Sequence, residues 1–361
     1  FKKKLIQTIN FINKEFKNEE NLYGSAYDAD SEGIEGKYYV WSYEELKKIL
    51  ENDFTLFEKK YEISKSGNFE GKNILVESKN ELKEEEQNKI AKIEDKLIQE
   101  RKNRVKPFFD DKSQTDLNAF ILDTLISSSI VLGDNNLKDE TIKTLEILNN
   151  KLSNKIYHCY DSSEIDAFLE DYVYYAMLLV TLYEVNGDEN SLQKAITIMK
   201  EIWEIFYNKD IQLLQKNKIK DNDLFVNPID LNDSNIPNGN SVYLNLCNKV
   251  YTITNDKFWF DKVEILKKSF HQVLNSFFSQ MFSFIKTLDL CENSISFTFF
   301  GNKDSVKDIK VNLQKNYLGR ATFVYKNHDE NEGSVVICKN QTCSEKLKDL
   351  SEVKNYLENR I

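Results

Sequence analysis

Histidine and cysteine are scarce, with three and five in 361 residues. A protein organised around several zinc sites needs more of both, so that class is set aside. No metal and no cofactor is expected. An excess of positive charge is also missing: 49 Lys and Arg face 59 Asp and Glu, a formal net charge of −10. An acidic chain suits a polyanion poorly, and no nucleic-acid partner is expected. Long apolar runs are lacking. The most apolar stretch, Ala176 to Tyr183, falls far short of the roughly 18 residues a membrane span needs. The aromatic stretch Phe270 to Leu288 is broken by Gln272, Asn275, Gln280 and Lys286. No membrane partner is expected, and no secretory signal is readable. The chain begins at Phe1 and is read as a fragment of a longer protein. A Gly-x-Ser-x-Gly elbow, a Ser-His-Asp constellation and a phosphate loop are absent as well.

What is present suffices for a folded protein of two or three units. Hydrophobic residues make up 40% and charged residues 30%, enough to bury a core. Apolar residues recur at helical spacings through 116–132, 138–154, 165–185, 190–208, 240–253 and 257–287. Gly133-Asp134-Asn135-Asn136 and Asn186-Gly187-Asp188-Glu189 have the chemistry that ends a helix and turns the chain. Helices joined by short turns give antiparallel hairpins. The expected fold is mainly α, a partial α/α toroid over 1–289. Phe1–Phe16 adds an amphipathic helix, and 80–104 reads as an exposed helix. Ser42 with Glu45 forms a capping box for a helix through Leu50. Ile295–Phe300, Ala321–Tyr325 and Ser334–Cys338 read as strands, with helices near 303–316 and 344–359. They make a small α/β appendage over 290–361.

Cys159, Cys247 and Cys291 are scattered, whereas Cys338-Lys-Asn-Gln-Thr-Cys343 has a four-residue gap. A redox dithiol normally has a two-residue gap at a helix N-terminus. Two reduced thiols are the leading reading, with a disulfide or a metal pair as alternatives. An odd cysteine count suits a reducing compartment, and the cytoplasm is expected.

Polar clusters recur at the starts of helices and between them. Asp28, Asp30, Glu32 and Gly33 match the opening of a calcium loop, but Gly36 and Tyr39 break the match. The competing readings are a solvated turn or a carboxylate loop flanked by Tyr38, Tyr39 and Trp41, rings able to stack on a ligand. Asn68, Glu70 and Asn73 lie in a tight loop between Gly67 and Asn73, with structural and ligand roles equally open. Asp110 and Asp111 precede a helix beside Lys112. They complement its dipole, or one faces a cavity. Glu170, Asp171 and Tyr172 interrupt an apolar helix, where a charge must be paired or face water. Asn238, Asn240 and Ser241 open another helix as caps or as cavity-lining groups. His158, His271 and His328 are far apart and read as structural.

These clusters, in order, resemble the YyaL-type family, also called spermatogenesis-associated thioredoxin-domain proteins. The resemblance rests on Ser25–Gly33 with Glu35–Trp41, Gly67–Leu75, Arg104–Lys112, Phe168–Tyr172, Pro237–Val242 and Cys338–Cys343, and it covers nearly the whole chain. It implies a thioredoxin-like domain upstream, then an α/α toroid similar to six-hairpin glycosidases and sugar epimerases. Two positions depart from the family pattern: Leu117-Asn118 replaces a Trp-Asn pair, and Tyr27 stands where an acid is common.

Three functions compete. A carbohydrate-binding or carbohydrate-active toroid would take a small-molecule or sugar ligand. Asp30, Asp111, Glu170 and Asp171 are its candidate acids and bases. Asp28, Glu32, Tyr39, Trp41, Asn68, Glu70, Asn73, Lys112, Asn118, Tyr172, Asn238, Asn240 and Ser241 are its candidate contacts. A scaffold for a thioredoxin-like redox domain is the second reading. A non-catalytic interaction module is the third.

Overall fold

A computed structural model describes residues 1–159, 165–218, 227–302, 304–326, 332–340 and 342–360. His328 lies outside them. The chain forms two compact units, 24–111 and the combination of 1–23 with 112–361.

Helix α1 (Lys2–Glu15) opens the larger unit. The smaller unit follows. It holds β1 (Ala26–Tyr27), β2 (Asp30–Ser31), β3 (Ile34–Glu35), α2 (Tyr43–Leu50), α3 (Phe54–Lys60), β4 (Tyr61–Glu62), β5 (Val76–Glu77), α4 (Glu84–Lys102) and β6 (Phe109–Asp110). Its strands pair antiparallel as β1–β6, β2–β3 and β4–β5. Its core gathers Trp41, Leu46, Leu50, Phe54 and Phe57 with Ile90, Ile93 and Leu97 from α4. The capping box at Ser42 and Glu45 is present as expected. The calcium-loop pattern is not a calcium loop. Asp30 pairs with Glu35 and Ser31 with Ile34, so Glu32 and Gly33 form a two-residue hairpin turn. Their φ values of 54° and 73° are what such a turn demands. Glu70 and Gly71 repeat the device, with φ of 46° and 75° and reciprocal hydrogen bonds between Phe69 and Lys72.

The larger unit continues with α5 (Thr115–Leu132), α6 (Asn135–Lys151), β7 (Tyr157–Cys159), β8 (Ile165–Asp166), α7 (Leu169–Asn186), α8 (Glu189–Phe206), β9 (Tyr207–Asn208), β10 (Leu213–Leu214), α9 (Gly239–Thr254), α10 (Lys257–Phe277) and α11 (Phe282–Glu292). The expected hairpins form as α5–α6, α7–α8 and α9–α10. Gly133 and Gly187, left-handed at φ 69° and 65°, end α5 and α7. Helix α7 is the axis of the packing. It touches α5, α8 and α9, and 15 of its 18 residues are buried. The helical pattern from 165 enters its helix only at Leu169, because Ile165–Asp166 pair with β7.

The expectation that no stretch is long and apolar enough for a membrane span needs correction. Thr115–Leu132, with 18 residues and a mean hydropathy of 1.3, is long and apolar enough to cross a membrane by length and composition. Its apolarity has a packing reason, since α5 lies against α6, α7 and α12 (Lys307–Tyr317).

The tail is α/β: β11 (Ile295–Phe300), α12, β12 (Thr322–Lys326), β13 (Ser334–Lys339), β14 (Thr342–Cys343) and α13 (Leu350–Arg360). The sheet order is β12-β11-β13-β14. Strand β11 is parallel to β12 and antiparallel to β13, so α12 serves as the crossover that a parallel pair requires. Phe297, Phe299, Phe323, Val335 and Ile337 form its core. Side chains of α7 complete the backbone hydrogen bonding of β12: Phe323 N–H donates to Glu184 Oε1, and Tyr325 N–H donates to the Tyr183 hydroxyl. Gln314 and Tyr325 in turn donate to the Glu184 carbonyl. The leading reading of Cys338 and Cys343 as reduced thiols is overturned. They face each other across β13 and β14 and are joined as a disulfide.

Candidate functional site

Among the described residues, Asp116, His158, Glu170 and Asp171 cluster at the N-terminal end of α7. Asp171 is fully buried there and saturated with donors. Its Oδ2 accepts the Phe168 N–H at 2.8 Å, and its Oδ1 accepts the Asp116 N–H at 3.0 Å. His158 Nδ1 lies 3.1 Å from both oxygens. A carboxylate only accepts, so this contact puts the ring proton on Nδ1 and leaves Nε2 for other work. The hydrogen bond to Asp171 raises the His158 pKa above its usual value, against desolvation.

A cleft of about 430 Å³ opens beside this pair, and Asp116, His158, Glu170, Lys216, Asp230 and Asn238 are among its walls. Glu170 is the unusual member. Its Oε2 is buried and takes no hydrogen bond from the described residues. Burial pushes its pKa up from 4.5 to about 7. Burial, then the charge of Asp171, pushes Asp116 up from 3.8 to about 6. Gly239 lets α9 approach this close, because a β-carbon there would meet Glu170 Oε1 and Leu169 Cδ2 at 3.0 Å. Across the cleft, Lys216 pairs with Asp230 at 3.2 Å. Asp233 holds the entry to α9 by accepting from Asn238 and from the Ser283 N–H.

Asp116, His158 and Asp171 each offer one ligand atom within 4.8 Å of the others. Two of the three are already engaged with each other, however. Nδ1 of His158 faces Asp171, and Asp171 takes two backbone N–H groups besides. A cation would have to displace these bonds, so the arrangement suits proton chemistry better than metal binding.

The sequence-derived candidates divide between the two units. In the larger one, Glu170 and Asn238 line the cleft and Asp171 braces it from beneath. Asn238 also caps α9 through the Ser241 N–H. Asn118 is spent on Tyr23 N–H, Tyr23 carbonyl and Gln114 carbonyl. Asn240 is spent on both backbone groups of Leu214 and on the Asp230 carbonyl. Tyr172 packs edge-on against Phe206 in the core, and Ser241 is buried. Lys112 is exposed. Asn118 and Asn240 are structural, because their polar atoms hold backbone, and Tyr172, Ser241 and Lys112 are not among the residues that line the cleft.

In the smaller unit, Asp28, Asp30 and Asp111 are exposed. Glu32 and Glu70 border a separate pocket of about 570 Å³ with Tyr38, Val40 and Phe69. This pocket is the larger of the two, but Glu32 is an exposed partner of Lys37 at 2.7 Å. Asn68 and Asn73 bond backbone groups of Ile74 and Ser64. Trp41, expected as a stacking platform, is 3% exposed. The Arg104 guanidinium lies 3.9 Å from its ring centre and reaches the carbonyls of Tyr38 and Val40 and the carboxylate of Glu45. Tyr39 is exposed, edge-on to Tyr38.

Sequence reasoning missed Asp116 and the role of His158. Asp116 carried a signal as the acidic residue in the first turn of an apolar helix. His158 carried none, since its partner lies 13 residues on and across a hairpin.

No family model matches the chain. Human spermatogenesis-associated protein 20 is 21% identical over 413 residues, covering 92% of this chain and 51% of that protein. The mouse protein of the same name is 21% identical over 420 residues, covering 97% and 53%. The family resemblance therefore runs along nearly the whole chain, and the chain spans about half the length of these curated relatives. A family 76 α-mannanase of Bacteroides thetaiotaomicron aligns at a TM-score of 0.41 with 15% identity, covering 87% of this chain and 82% of that one. The cellobiose 2-epimerase of Bacillus thermoamylovorans aligns at 0.36 with 11% identity, covering 45% of each.

Proposed function

We propose that the cleft at the start of α7 binds a carbohydrate and transforms it by acid–base chemistry. The observation that carries this is Glu170: a buried carboxyl with an unengaged oxygen and a pKa of about 7. Such a group keeps its proton near neutrality and can donate it to a glycosidic or hydroxyl oxygen. Asp116, at about 6, is ionised at the same pH and serves as acceptor. His158, held by Asp171, favours the ionised form of Asp116, since its charge lowers the Asp116 pKa. Two carboxyls that burial raises toward neutral pH, one higher than the other, suit the acid and base roles of such chemistry. The wall mixes amide, carboxylate, ammonium and hydroxyl groups with Phe168, Ile236 and Pro237, which suits the hydroxyl groups and apolar faces of a sugar. The volume is that of a small-ligand site.

The test is a thermal-shift survey of mono- and oligosaccharides, followed by turnover of whichever sugar binds. A sugar at 100 times its dissociation constant stabilises by about 2.7 kcal/mol. Glu170→Gln is expected to keep binding and lose turnover by about 10²-fold or more. A survey without any shift, or full turnover by the Gln variant, would refute the proposal. A thioredoxin-like domain upstream and a cytoplasmic setting belong to the same reading of the whole protein. A Cys-x-x-Cys following a strand in the upstream coding sequence is the check on the first.

A further inference from the structure

We infer that Cys338 and Cys343 form an exchangeable disulfide, a two-electron acceptor site for a dithiol reductant. Three observations converge on it. The bond closes a loop of only four residues, and the β13–β14 register already sets the two cysteines opposite one another. Ser344 adds two hydrogen bonds to Ile337 beside them. A crosslink that closes so short a loop constrains the unfolded chain less than one closing a long loop. The sheet is held elsewhere, by Phe297, Phe323, Val335 and Ile337, so the fold does not depend on the bond.

Access is asymmetric. Cys343 lies on an exposed two-residue strand while Cys338 is half-buried. An incoming thiolate therefore meets the Cys343 sulfur first. The remaining cysteines do not compete. Cys159 and Cys247 are buried, and burial raises the thiol of Cys247 well above its usual value and that of Cys291 to about 11. Such thiols are poor nucleophiles near neutral pH.

The exchange balances as follows. One thiolate of the reductant attacks Cys343 Sγ, the Cys338–Cys343 bond breaks, and Cys338 leaves as a thiolate that takes up a proton. The reductant's second thiol loses its proton and attacks its own sulfur in the mixed disulfide, releasing Cys343 as a thiolate that is protonated in turn. The reductant ends as a disulfide and the chain holds two thiols, two electrons and two protons richer. Strand β14 is then tied to β13 only by backbone and Ser344 hydrogen bonds.

Dithiothreitol is the probe, with iodoacetamide labelling of the folded chain and peptide mass analysis as readout. The expected result is labelling of Cys338 and Cys343 alone, with the far-ultraviolet circular dichroism unchanged and the bond restored by glutathione disulfide. With glutathione disulfide as the probe, Cys338→Ser is expected to trap a mixed disulfide at Cys343 about tenfold or more faster than Cys343→Ser traps one at Cys338. The inference is overturned if dithiothreitol reduces the pair only when the chain unfolds. It is equally overturned if glutathione disulfide fails to re-form the bond, or if the two serine variants trap at equal rates.

Discussion

Lys249 donates from its Nζ to Glu184 Oε2 at 2.5 Å, with the two side chains 13% and 1% exposed. The other Glu184 oxygen accepts the Phe323 N–H. One carboxylate thus ties α7, α9 and β12 together at a place where an unpaired charge is costly. Lys249→Met should lower stability by about 3–5 kcal/mol, because it strands a buried anion. The double variant Lys249→Met with Glu184→Gln should recover part of that loss. Urea unfolding of the three proteins measures both effects, and equal losses in the single and double variants would show that the charge is not the cause.

Glu170 makes stability fall as pH rises. Its folded pKa of about 7 lies above its ordinary value of 4.5, so the folded state binds the proton more tightly. Its contribution is fully present below pH 4.5 and is lost as pH climbs through 7. The loss should amount to about 1–3 kcal/mol. Glu170→Gln should match the parent at pH 4 and exceed it at pH 8 in denaturant melts.

His158 is held in its raised range by Asp171. Asp171→Asn should lower the His158 pKa, read from the titration of its ring protons by NMR. The stability that His158 contributes is present below its unfolded value and lost as pH rises through the folded one. The variant should therefore flatten this part of the pH profile. An unmoved titration would mean that Asp171 does not govern the ring.

Arg104→Lys should loosen the 24–111 unit although charge is kept. A planar fork over Trp41 that reaches two carbonyls and Glu45 cannot be replaced by a single ammonium. A loss of about 2–4 kcal/mol is expected for that unit. Limited proteolysis should cut within 24–111 sooner, and the emission of Trp41 should shift to longer wavelength.

The helical layer was legible because one-sided burial imposes a period of 3.6, which α8 and α10 show, while α5 and α7 were legible as long apolar segments closed by Gly133 and Gly187. Glu170 was legible because a carboxyl inside Phe168–Met177 contradicts its surroundings. Asp116 and His158 were not, since their meeting depends on how α5, β7 and α7 converge. The acids near Asp30 misled for a related reason. A two-residue turn at Glu32–Gly33 selects for φ sign and solubility, and these leave the same acidic, glycine-bearing pattern as a ligand loop. Trp41 misled because an aromatic looks alike in sequence whether it faces a ligand or lies under an arginine. The cross-strand pair at Cys338 and Cys343 became readable only once β13 was seen to turn back on itself.

The tail sheet has two borders, guarded by different means. At β12, side chains of Tyr183 and Glu184 occupy the N–H groups that another strand would seek, and no change of solvent redox state removes them. At the other border the guard is β14 with Ser344 and Leu347, fastened to β13 by backbone hydrogen bonds and one sulfur–sulfur bond. Reduction would weaken only that side. The outer edge of β13 nonetheless stays covered after reduction, because Ser344 and Leu347 still hold the backbone of Ile337 and Val335, so reduction alone should not open the sheet to strand pairing.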